Sequence, residues 1–450
     1  MIPLRLGEIE GAALVRGNPE LTVRSLTCDS RLARPGSLFV CLRGARCDGH
    51  DFLPEAARRG ALAALCERGR ARPPPGVALL EAEDPLAALA DIGRLVRRRA
   101  QASIAGIAGS AGKTTTKDVL RALLAPHLPV AASPASYNNE LGVPLTLSLL
   151  EQETRVCVCE LGTGAPGELA SLCRIAEPDL GLLTSIGPEH LEFFGALTGV
   201  AAEEAELIGA LRPGAPLVLP HGEPLLDPYR RADLDEWSFG LDPDADVYPL
   251  RWRPGDRLAE VVLSVRGRQV AFRTNLRLPH HRLNLAAAVA AYAALGLPLR
   301  GVGLGAASIA LSPWRGEEHP RPGGGLLIND AYNANPLSMR TALEALAARG
   351  NGARTVAILG EMDELGAEAR GWHALAGAQA AALSVDLLVA VGPLARAYLE
   401  NAVGRIECRW FPDRRAVAKA LPQLLCASDI VLLKGSRSAG LECLAEVILR

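Results

Sequence analysis

A glycine-rich segment near residue 110 constrains the fold of this chain more than any other feature. The segment reads Gly106-Ile-Ala-Gly-Ser-Ala-Gly-Lys-Thr114, between a short apolar run, 103–107, and a helix-like stretch, 117–124. The order is a strand, then a glycine turn, then the first turn of a helix. This order brings backbone N–H groups and a helix N-terminus to one point, where they can bind phosphate oxygens. The segment therefore predicts an α/β domain with a phosphate-binding loop.

The side chains of this loop indicate a nucleoside triphosphate. Lys113 is placed to reach β- and γ-phosphates, and the Thr114 hydroxyl is placed to ligate Mg²⁺. The strict G-x-x-x-x-G-K-[ST] pattern requires glycine at position 107, where this chain has Ile107. A glycine turn without a ligand is the alternative, but the position of Gly-Lys-Thr-Thr between strand and helix favours nucleotide binding.

Composition limits the remaining choices. A chain of 450 residues with 49% apolar and 22% charged residues predicts two to four globular domains. A net charge of −2 gives no general electrostatic reason to bind nucleic acid or an anionic membrane. No apolar run reaches membrane-spanning length, and the acidic N-terminal segment is unlike a signal peptide, so we expect a soluble cytoplasmic protein without membrane insertion.

The ten scattered cysteines predict reduced thiols rather than disulfides or a zinc site.

The alternation of apolar runs and helical stretches predicts three segments, 1–82, 83–312 and 313–450. In the second segment, runs 155–159 and 180–186 predict buried parallel strands, 229–277 predicts a β-rich insert, and 283–295 predicts an alanine-rich helix. The pattern restarts after Ser312-Pro-Trp314 and predicts a second open α/β sheet, with helices at 338–348, 374–382, 394–401 and from residue 440. The fold class expected is α/β throughout.

Polar residues follow several of these strands. Glu160 ends the strand 155–159, and in open α/β sheets ligands bind beyond the carboxyl ends of the strands. We expect Glu160 to ligate Mg²⁺, the alternative being a solvated acid. His190, after the strand 180–186, is a candidate metal or phosphate ligand, although a structural role is equally compatible.

Two clusters in the last segment contain more polar and charged residues than a turn requires. Asn329-Asp-Ala-Tyr-Asn-Ala-Asn-Pro336 follows its first strand, and Lys434-Gly-Ser-Arg437 follows a later one. The second combines glycine with cations, which suits an anion, with a solvated surface charge as the alternative for Arg437. Near the N-terminus, turns 28–31 and 49–52 make only a weak case for a ligand.

Together these segments resemble the Mur ligase family of peptidoglycan synthesis, and the resemblance covers essentially the whole chain. The N-terminal pieces 29–31, 36–40 and 48–52 resemble the UDP-binding domain of the family, and the G-x-x-G-x-x-G-K loop is the form that the family uses, which accounts for Ile107. Segments 137–144, 160–168, 328–336, 359–373 and 434–437 are similar to the branch that adds D-alanyl-D-alanine to UDP-N-acetylmuramoyl-tripeptide. The Asp-Asn-Pro-Arg signature of the diamino-acid-adding branch is not found.

The resemblance implies three domains: a UDP-binding α/β domain, a central ATPase-type domain with a parallel sheet, and a C-terminal Rossmann-like domain that binds the incoming dipeptide. It implies ATP-driven amide formation through an acyl phosphate, by a monomer with ATP and Mg²⁺ as cofactors and UDP-N-acetylmuramoyl-tripeptide and D-alanyl-D-alanine as substrates. The last domain is expected to swing closed over the site and exclude water.

The site residues that the resemblance implies fall into four sets. The catalytic set is Lys113, Glu160, His190 and Glu204. The ATP-binding set is Gly109, Ser110, Ala111, Gly112, Lys113, Thr114, Thr115, Asn284 (adenine), Arg315 (phosphates) and Asp330 (ribose). The substrate-binding set is Ser30, Arg31, Asn138, Asn139, Tyr332, Asn333 and Asn335. The metal set is Thr114 and Glu160 for one Mg²⁺, with Glu160 and His190 for a second.

The chain departs from the family pattern at three places. Glu204 stands where many members carry a carbamylated lysine that helps to place the second Mg²⁺. We hypothesise that Glu204 supplies the negative charge directly and makes CO₂ unnecessary. His280-His281 replaces a usual His-Asn pair before Asn284, and Pro220-His221 replaces an Asn-Asp pair.

The alternatives are another ATP-dependent carboxylate–amine ligase of the diamino-acid-adding or folylpolyglutamate type, a non-catalytic nucleotide-binding relative, and a motor or switch ATPase. A non-catalytic protein is disfavoured because the chain keeps the full set of predicted catalytic and metal-binding residues: Lys113, Thr114, Glu160 and His190. The sequence leaves open whether the third residue of the tripeptide is meso-diaminopimelate or L-lysine.

Overall fold

In the computed structural model, residues 1–45, 47–255 and 257–450 are described, and they form three α/β units in chain order, each built on one main sheet. None of the helices within these ranges is long and apolar enough to cross a membrane.

The first unit holds a five-stranded sheet and a two-stranded ribbon. Its elements are β1 (Leu4–Arg5), β2 (Ala13–Arg16), β3 (Thr22–Val23), β4 (Ser25–Thr27), β5 (Ser37–Val40), α1 (Leu53–Arg58), β6 (Ala61–Glu67) and β7 (Ala78–Ala82), with 3₁₀ turns at Leu6–Glu8, Ser30–Leu32 and Gly49–Phe52. The sheet order is β2-β7-β6-β5-β4, with β4 to β7 parallel and β2 antiparallel.

The central unit is a nine-stranded sheet in the order β16-β15-β14-β13-β12-β11-β8-β10-β9. Its strands are β8 (Ser103–Ala108), β9 (Val130–Ala132), β10 (Val156–Glu160), β11 (Leu180–Leu183), β12 (Pro216–Pro220), β13 (Asp235–Phe239), β14 (Val247–Arg253), β15 (Ala259–Val265) and β16 (Arg268–Thr274). Its helices are α2 (Pro85–Arg99), α3 (Lys113–Leu124), α4 (Gly142–Leu147), α5 (Glu168–Ala176), α6 (Leu191–Phe194), α7 (Leu197–Glu204), α8 (Glu206–Ala210), α9 (His281–Ala294) and α10 (Val302–Ala306). The β-rich insert is confirmed, and it extends the parallel sheet through an antiparallel β14-β15-β16 edge.

Helices cover both faces of the central sheet, as the apolar pattern predicts. One face packs with α2, α5 and α8 into a core that continues into the first unit, whereas the other packs against α3 and α9. Cys157 and Cys159 share the first of these faces, as the alternation predicts, and all ten cysteines are free thiols. Because α2 lies between the first two sheets, those two units share one hydrophobic core.

The last unit is a six-stranded sheet in the order β17-β18-β22-β19-β20-β21. Its elements are β17 (Glu317–Pro320), β18 (Leu326–Asp330), α11 (Pro336–Gly350), β19 (Thr355–Gly360), α12 (Ala369–Ala382), β20 (Leu387–Val391), β21 (Glu407–Phe411), α13 (Arg414–Leu424), β22 (Ile430–Lys434) and α14 (Ala445–Ile448). All neighbouring strands are parallel except β17 and β18.

Several predicted boundaries need correction. The helix after the glycine loop begins at Lys113, not at residue 117, because Gly112 caps it with a left-handed φ of 86°. The strand 180–186 ends at Leu183. The Thr184 N–H still donates to Ala108 O at the end of β8 at 2.9 Å, but Ser185 bonds to the glycine loop, its O accepting the Ser110 N–H at 2.8 Å.

Two predicted helices of the last unit also differ. The segment Leu394–Asn401 is a 3₁₀ helix, anchored by the Tyr398 hydroxyl, which donates to Gly360 O at 2.8 Å. The last helix begins at Ala445 rather than at residue 440, because Leu441–Leu444 forms a 3₁₀ turn before it.

Candidate active site

The glycine loop lies between the carboxyl end of β8 and the first turn of α3. Gly109 has a φ of 116°, and a Cβ there would stand 2.4 Å from Thr184 Oγ1. Gly112 has a φ of 86°, and a Cβ there would stand 2.5 Å from Asn284 Nδ2. Both positions therefore need glycine for backbone conformation and for space. The turn leaves the N-terminus of α3 facing outward, where it suits phosphate oxygens.

Thr114 and Glu160 meet directly in front of this helix. The Thr114 hydroxyl lies 3.1 Å from Glu160 Oε1, which also accepts from Asn138 Nδ2 at 2.9 Å. Ser136 Oγ lies 3.2 Å from Thr114 Oγ1 and adds another oxygen to the group. Glu160 is 1% exposed, and its Oε2 accepts no hydrogen bond. The group presents hydroxyl and carboxylate oxygens, the ligands that Mg²⁺ prefers.

The last unit reaches into the same place. Asn335 Nδ2 donates to Ser110 O of the glycine loop at 3.0 Å. Arg315 Nη2 donates to Thr114 Oγ1 at 3.0 Å, and its guanidinium stacks 3.9 Å above the ring of Tyr332. These contacts join the third sheet to the phosphate loop across the interface between the two units.

Asp330 and Lys434 form an ion pair at the carboxyl ends of the neighbouring parallel strands β18 and β22. Lys434 Nζ lies 2.7 Å from Asp330 Oδ2 and donates to Asn333 O at 3.0 Å. Lys434 is 2% exposed, so its charge is held by these partners. The pair fixes the turn after β18, which carries Tyr332 and Asn335.

His190 bridges the central and last units. It has a φ of 50°, and its Nδ1 bonds to a carboxylate oxygen of Glu364, whose own φ is 61°. Burial lowers the pKa of His190, although the Glu364 carboxylate opposes this shift. The imidazole is therefore neutral near pH 7, the form able to ligate a metal or accept a proton.

Lys113 is surrounded by buried acids. Its Nζ donates to Gly109 O and lies 3.7 Å from Glu189 Oε1. Burial opposes its charge, but the carboxylates of Glu189, Glu204 and Glu160 outweigh that effect and raise the pKa of Lys113. Burial also raises the pKa of Glu189 to about 8, despite the opposing charge of Lys113.

Glu204 lies behind the loop rather than in the cavity. Its Oε2 accepts the Gly109 N–H at 2.6 Å, whereas its Oε1 is buried and accepts no hydrogen bond. Burial raises the pKa of this carboxyl too, with the charge of Lys113 acting against the shift. One oxygen is thus engaged with the loop, and the charge acts on the loop lysine.

A cavity of about 480 Å³ lies between the central and last units, and Glu204 and Glu364 are not among its lining residues. Most residues that the sequence singled out border it: Ser110, Ala111, Gly112, Lys113, Thr114, Thr115, Asn138, Asn139, Glu160, His190, Asn284, Arg315, Asp330, Tyr332, Asn333 and Asn335. Asn284 Nδ2 donates to Thr116 Oγ1 at 3.2 Å. A larger open groove of about 1080 Å³ lies near Asp179, at the start of β11, and is lined largely by paired arginines and acids.

Ser30 and Arg31 lie outside this cavity. They follow β4 in the first sheet, where Ser30 Oγ donates to Glu55 Oε2 at 2.8 Å and Arg31 pairs with Asp29 at 2.7 Å. Arg31 is largely exposed and Ser30 is buried. The structure therefore places these two predicted substrate residues at the edge of a different sheet.

Sequence reasoning missed three members of the site. Glu189 approaches Lys113, and its only signal in the sequence was its place next to His190 after the strand 180–186. Ser136 contacts both Thr114 and Arg315, but a lone serine carries no signal. Lys117 is 1% exposed, donates to Ala135 O and lies 3.9 Å from Glu160 Oε2. The signal for Lys117 was a charged residue on the buried face of a helix, which requires a partner.

Comparison with known proteins gives matches along almost all of the chain. Residues 22–109 match the Mur ligase family, catalytic domain; residues 107–292 match the Mur ligase middle domain; and residues 314–437 match the Mur ligase, glutamate ligase domain. A relative from Mycobacterium leprae (strain TN), named UDP-N-acetylmuramoyl-tripeptide–D-alanyl-D-alanine ligase, is 32% identical and covers 99% of this chain and 97% of its own.

Two solved structures are similar over the full length. A crystal structure of MurF from Acinetobacter baumannii superimposes with a TM-score of 0.85 at 29% identity, covering 96% of this chain and 95% of that one. A crystal structure of the MurF ligase from Thermotoga maritima in complex with ADP superimposes with a TM-score of 0.81 at 28% identity, covering 95% of this chain and 97% of that one.

Proposed function

The chain belongs to the Mur ligase family, and from this premise we propose that it joins D-alanyl-D-alanine to UDP-N-acetylmuramoyl-tripeptide with hydrolysis of ATP. The observation that carries the proposal is the whole-chain match to ligases of that name, covering 99% of this chain in one relative. The cavity between the central and last units agrees with it, since a phosphate loop there meets the polar turn after β18.

The phosphate loop suits ATP, and the oxygen group beside it suits Mg²⁺. Glu160 Oε2 is buried and accepts no hydrogen bond, since Lys117 Nζ at 3.9 Å is too far to donate one, and a metal ion would satisfy this oxygen. Thr114 and Glu160 would hold one ion, with Glu160 and His190 holding a second. When bound, Mg²⁺ would neutralise charge on the phosphates. Lys113 and Arg315 would hold the same oxygens from the protein side.

The reaction that these residues support has two steps. An oxygen of the tripeptide carboxylate attacks the γ-phosphorus of ATP, the bond to the β-phosphate oxygen breaks, and an acyl phosphate and ADP form. The dipeptide amine then attacks the carbonyl carbon, loses a proton and expels phosphate. Lys113 would stabilise charge on the transferred group throughout, since it stays protonated.

The last unit would position the second substrate and exclude water. We infer that Tyr332, Asn333 and Asn335 lie near the dipeptide, and that Asn284 and Asp330 contact adenosine. The Asn335–Ser110 and Arg315–Thr114 bonds close the cavity over the loop. An acyl phosphate hydrolyses readily, so closure protects it.

The domain limits 1–82, 83–312 and 313–450 remain our proposal, with Ser30 and Arg31 binding the UDP part and Asn138 and Asn139 the peptide. Because these two sets border different sheets, the substrate would extend from the first unit to the central cavity. We also propose a monomer that acts in the cytoplasm on small-molecule substrates.

The deciding experiment measures phosphate release from ATP with UDP-N-acetylmuramoyl-tripeptide, with and without D-alanyl-D-alanine. We expect release to need both substrates, with one amide formed per phosphate. Labelling the terminal carboxylate with ¹⁸O should transfer one labelled oxygen to phosphate. ATP turnover that is indifferent to both substrates would contradict the proposal.

Lys113→Met provides the matched variant for this assay. Loss of the loop cation should lower kcat by about a hundredfold or more, because a charge is removed from the transferred phosphate. Lys419→Met is the control, since Lys419 is exposed on α13 and borders no part of the cavity. Equal activity of the two variants would remove Lys113 from the mechanism.

A further inference from the structure

Three metal-type ligands converge in the first unit, outside the cavity described above. Cys41 follows β5, Cys66 lies in β6, and His50 lies in the 3₁₀ turn Gly49–Phe52. One ligand atom from each lies within 4.8 Å of the other two. None of these three residues is among those assigned above to the ligase reaction or to its substrates, and none borders the cavity between the central and last units.

The strand register brings the two thiols together. Val40 of β5 pairs with Leu65 of β6, so the next residues, Cys41 and Cys66, stand beside each other on parallel strands. Their sulfur atoms are 3.5 Å apart, and both side chains are fully buried. Two thiolates on one zinc ion, each bonded at about 2.3 Å, stand roughly this far apart. The spacing therefore fits a shared metal ion without movement of the strands.

The histidine is oriented as metal-binding histidines usually are. Its Nδ1 lies 2.6 Å from Asp48 Oδ1, which fixes the proton on that nitrogen and leaves the Nε2 lone pair available. Nε2 now accepts the Glu67 N–H at 3.2 Å, a long hydrogen bond beside Cys66. The His50 side chain is 9% exposed, so the imidazole faces the interior.

We propose that Cys41, Cys66 and His50 bind one Zn²⁺ ion, with a water molecule as the fourth ligand. Binding releases both thiol protons, so two thiolates and a neutral imidazole balance the charge of the ion. Nε2 exchanges the Glu67 N–H for the metal. The three ligand atoms, which now lie within 4.8 Å of one another, would draw together slightly to reach the spacing of ligands in a zinc tetrahedron. Soft sulfur and imidazole ligands select zinc over Mg²⁺.

The ion would have a structural role. It would fasten the turn Gly49–Phe52 and the loop before it to the carboxyl ends of β5 and β6. Two thiolates and an imidazole are ligands that zinc prefers, and the Asp48 carboxylate provides the outer contact that tunes such sites. The inference is independent of the ligase proposal, and zinc content can be measured without substrates.

The test measures zinc in the full-length protein, purified without chelators, by elemental analysis and by titration against a chromophoric chelator. We expect one zinc per chain, and thiolate-to-metal charge-transfer absorption when Co²⁺ replaces it. Cys41→Ser and Cys66→Ser should abolish stoichiometric binding. Asp48→Asn, which keeps all three ligands, should weaken binding roughly 10- to 100-fold.

Two controls separate this site from other thiols. Cys47→Ser removes an exposed neighbouring cysteine, and Cys157→Ala removes a buried thiol of the central sheet; both should keep one zinc. Circular dichroism checks that each variant is folded, and Asp48→Asn keeps the test decisive if a serine variant fails to fold. Absence of zinc from the wild type after loading, equal binding in Asp48→Asn, or a Cys41–Cys66 disulfide in its place would overturn the proposal.

Discussion

At the scale of single residues, Glu204 acts through charge as well as through a hydrogen bond. Its Oε2 accepts the Gly109 N–H at 2.6 Å, and its charge raises the pKa of Lys113. Glutamine at this position can still accept the Gly109 N–H but carries no charge. Charge and hydrogen bond can thus be separated by one substitution.

We predict that Glu204→Gln lowers kcat/KM for ATP roughly a hundredfold, because it removes a buried partner of the Lys113 charge. Steady-state phosphate release checks this, with the exposed neighbour Glu206→Gln as control. Glu204→Lys with added bicarbonate should recover part of the activity if a carbamylated lysine is equivalent. Full activity in Glu204→Ala would contradict a role for this charge.

Glu189 predicts a pH dependence of stability. Burial raises the pKa of its carboxyl from 4.5 to about 8, so the folded protein holds a proton that the unfolded chain has lost. The stabilisation from this group is complete below pH 4.5 and is lost as the pH rises towards 8. Glutamine does not titrate, so the Glu189→Gln variant does not lose this stabilisation as the pH rises. The difference in melting temperature, variant minus wild type, should therefore increase by a few degrees between pH 4.5 and pH 8.

Thermal unfolding of the nucleotide-free protein at several pH values measures this difference. Glu153→Gln, an exposed acid before β10, should follow the wild type at every pH. If the Glu189→Gln and wild-type curves stay parallel, Glu189 is ionised in the folded state throughout.

At the scale of elements, α11 is both a structural helix and an arm of the site. Asn335 caps it by accepting the Ser338 N–H at 2.8 Å, and the same side chain donates to Ser110 O at 3.0 Å. Asp413 caps α13 in the same way, accepting the Ala416 N–H at 2.8 Å, but borders no part of the cavity. The two caps therefore form a matched pair.

We predict that Asn335→Ala and Asp413→Ala each lower the free energy of unfolding by about 1 kcal/mol, the usual cost of losing a helix N-cap. Only Asn335→Ala should also lower activity, by about tenfold, because it loses the bond to the phosphate loop. Denaturant unfolding and phosphate release measure the two effects. If Asn335→Ala and Asp413→Ala have equal activities, Asn335 serves only as a helix cap.

At the scale of the whole molecule, the active cavity depends on the central and last units being docked. His190 and Glu364 bond across that interface, and the Glu192 N–H donates to Glu364 O at 3.1 Å. The Glu364 side chain is 47% exposed, so its contribution is modest in water.

We predict that Glu364→Gln lowers kcat up to about fivefold and leaves ATP affinity nearly unchanged, because the nucleotide is held mainly by the central loop. Small-angle scattering should report a larger radius of gyration than in the wild type. Glu446→Gln, an exposed acid on α14, serves as the control. A compact Glu364→Gln protein with reduced kcat would place the effect in the chemistry instead of docking.

Much of this molecule was determined by local sequence. The glycine loop, the buried strands and the alanine-rich helix follow from backbone freedom and apolar periodicity, which act over a few residues. Glu160 and His190 were predicted at one sheet edge because the carboxyl ends of parallel strands meet there. The family resemblance could likewise be drawn from separate short motifs, because each motif is a local stretch of sequence.

The tertiary structure decided what local pattern could not. Lys117 and Glu160 are far apart along the chain, and only packing places their charged atoms 3.9 Å apart. The register of β5 and β6 brings Cys41 and Cys66 together, although scattered cysteines indicated no metal site. Glu204, the last residue of α7, binds the backbone of the loop at Gly109 and does not line the cavity. These contacts join residues that are distant in the sequence and depend on how the helices and strands pack. Residue spacing along the chain therefore cannot predict them.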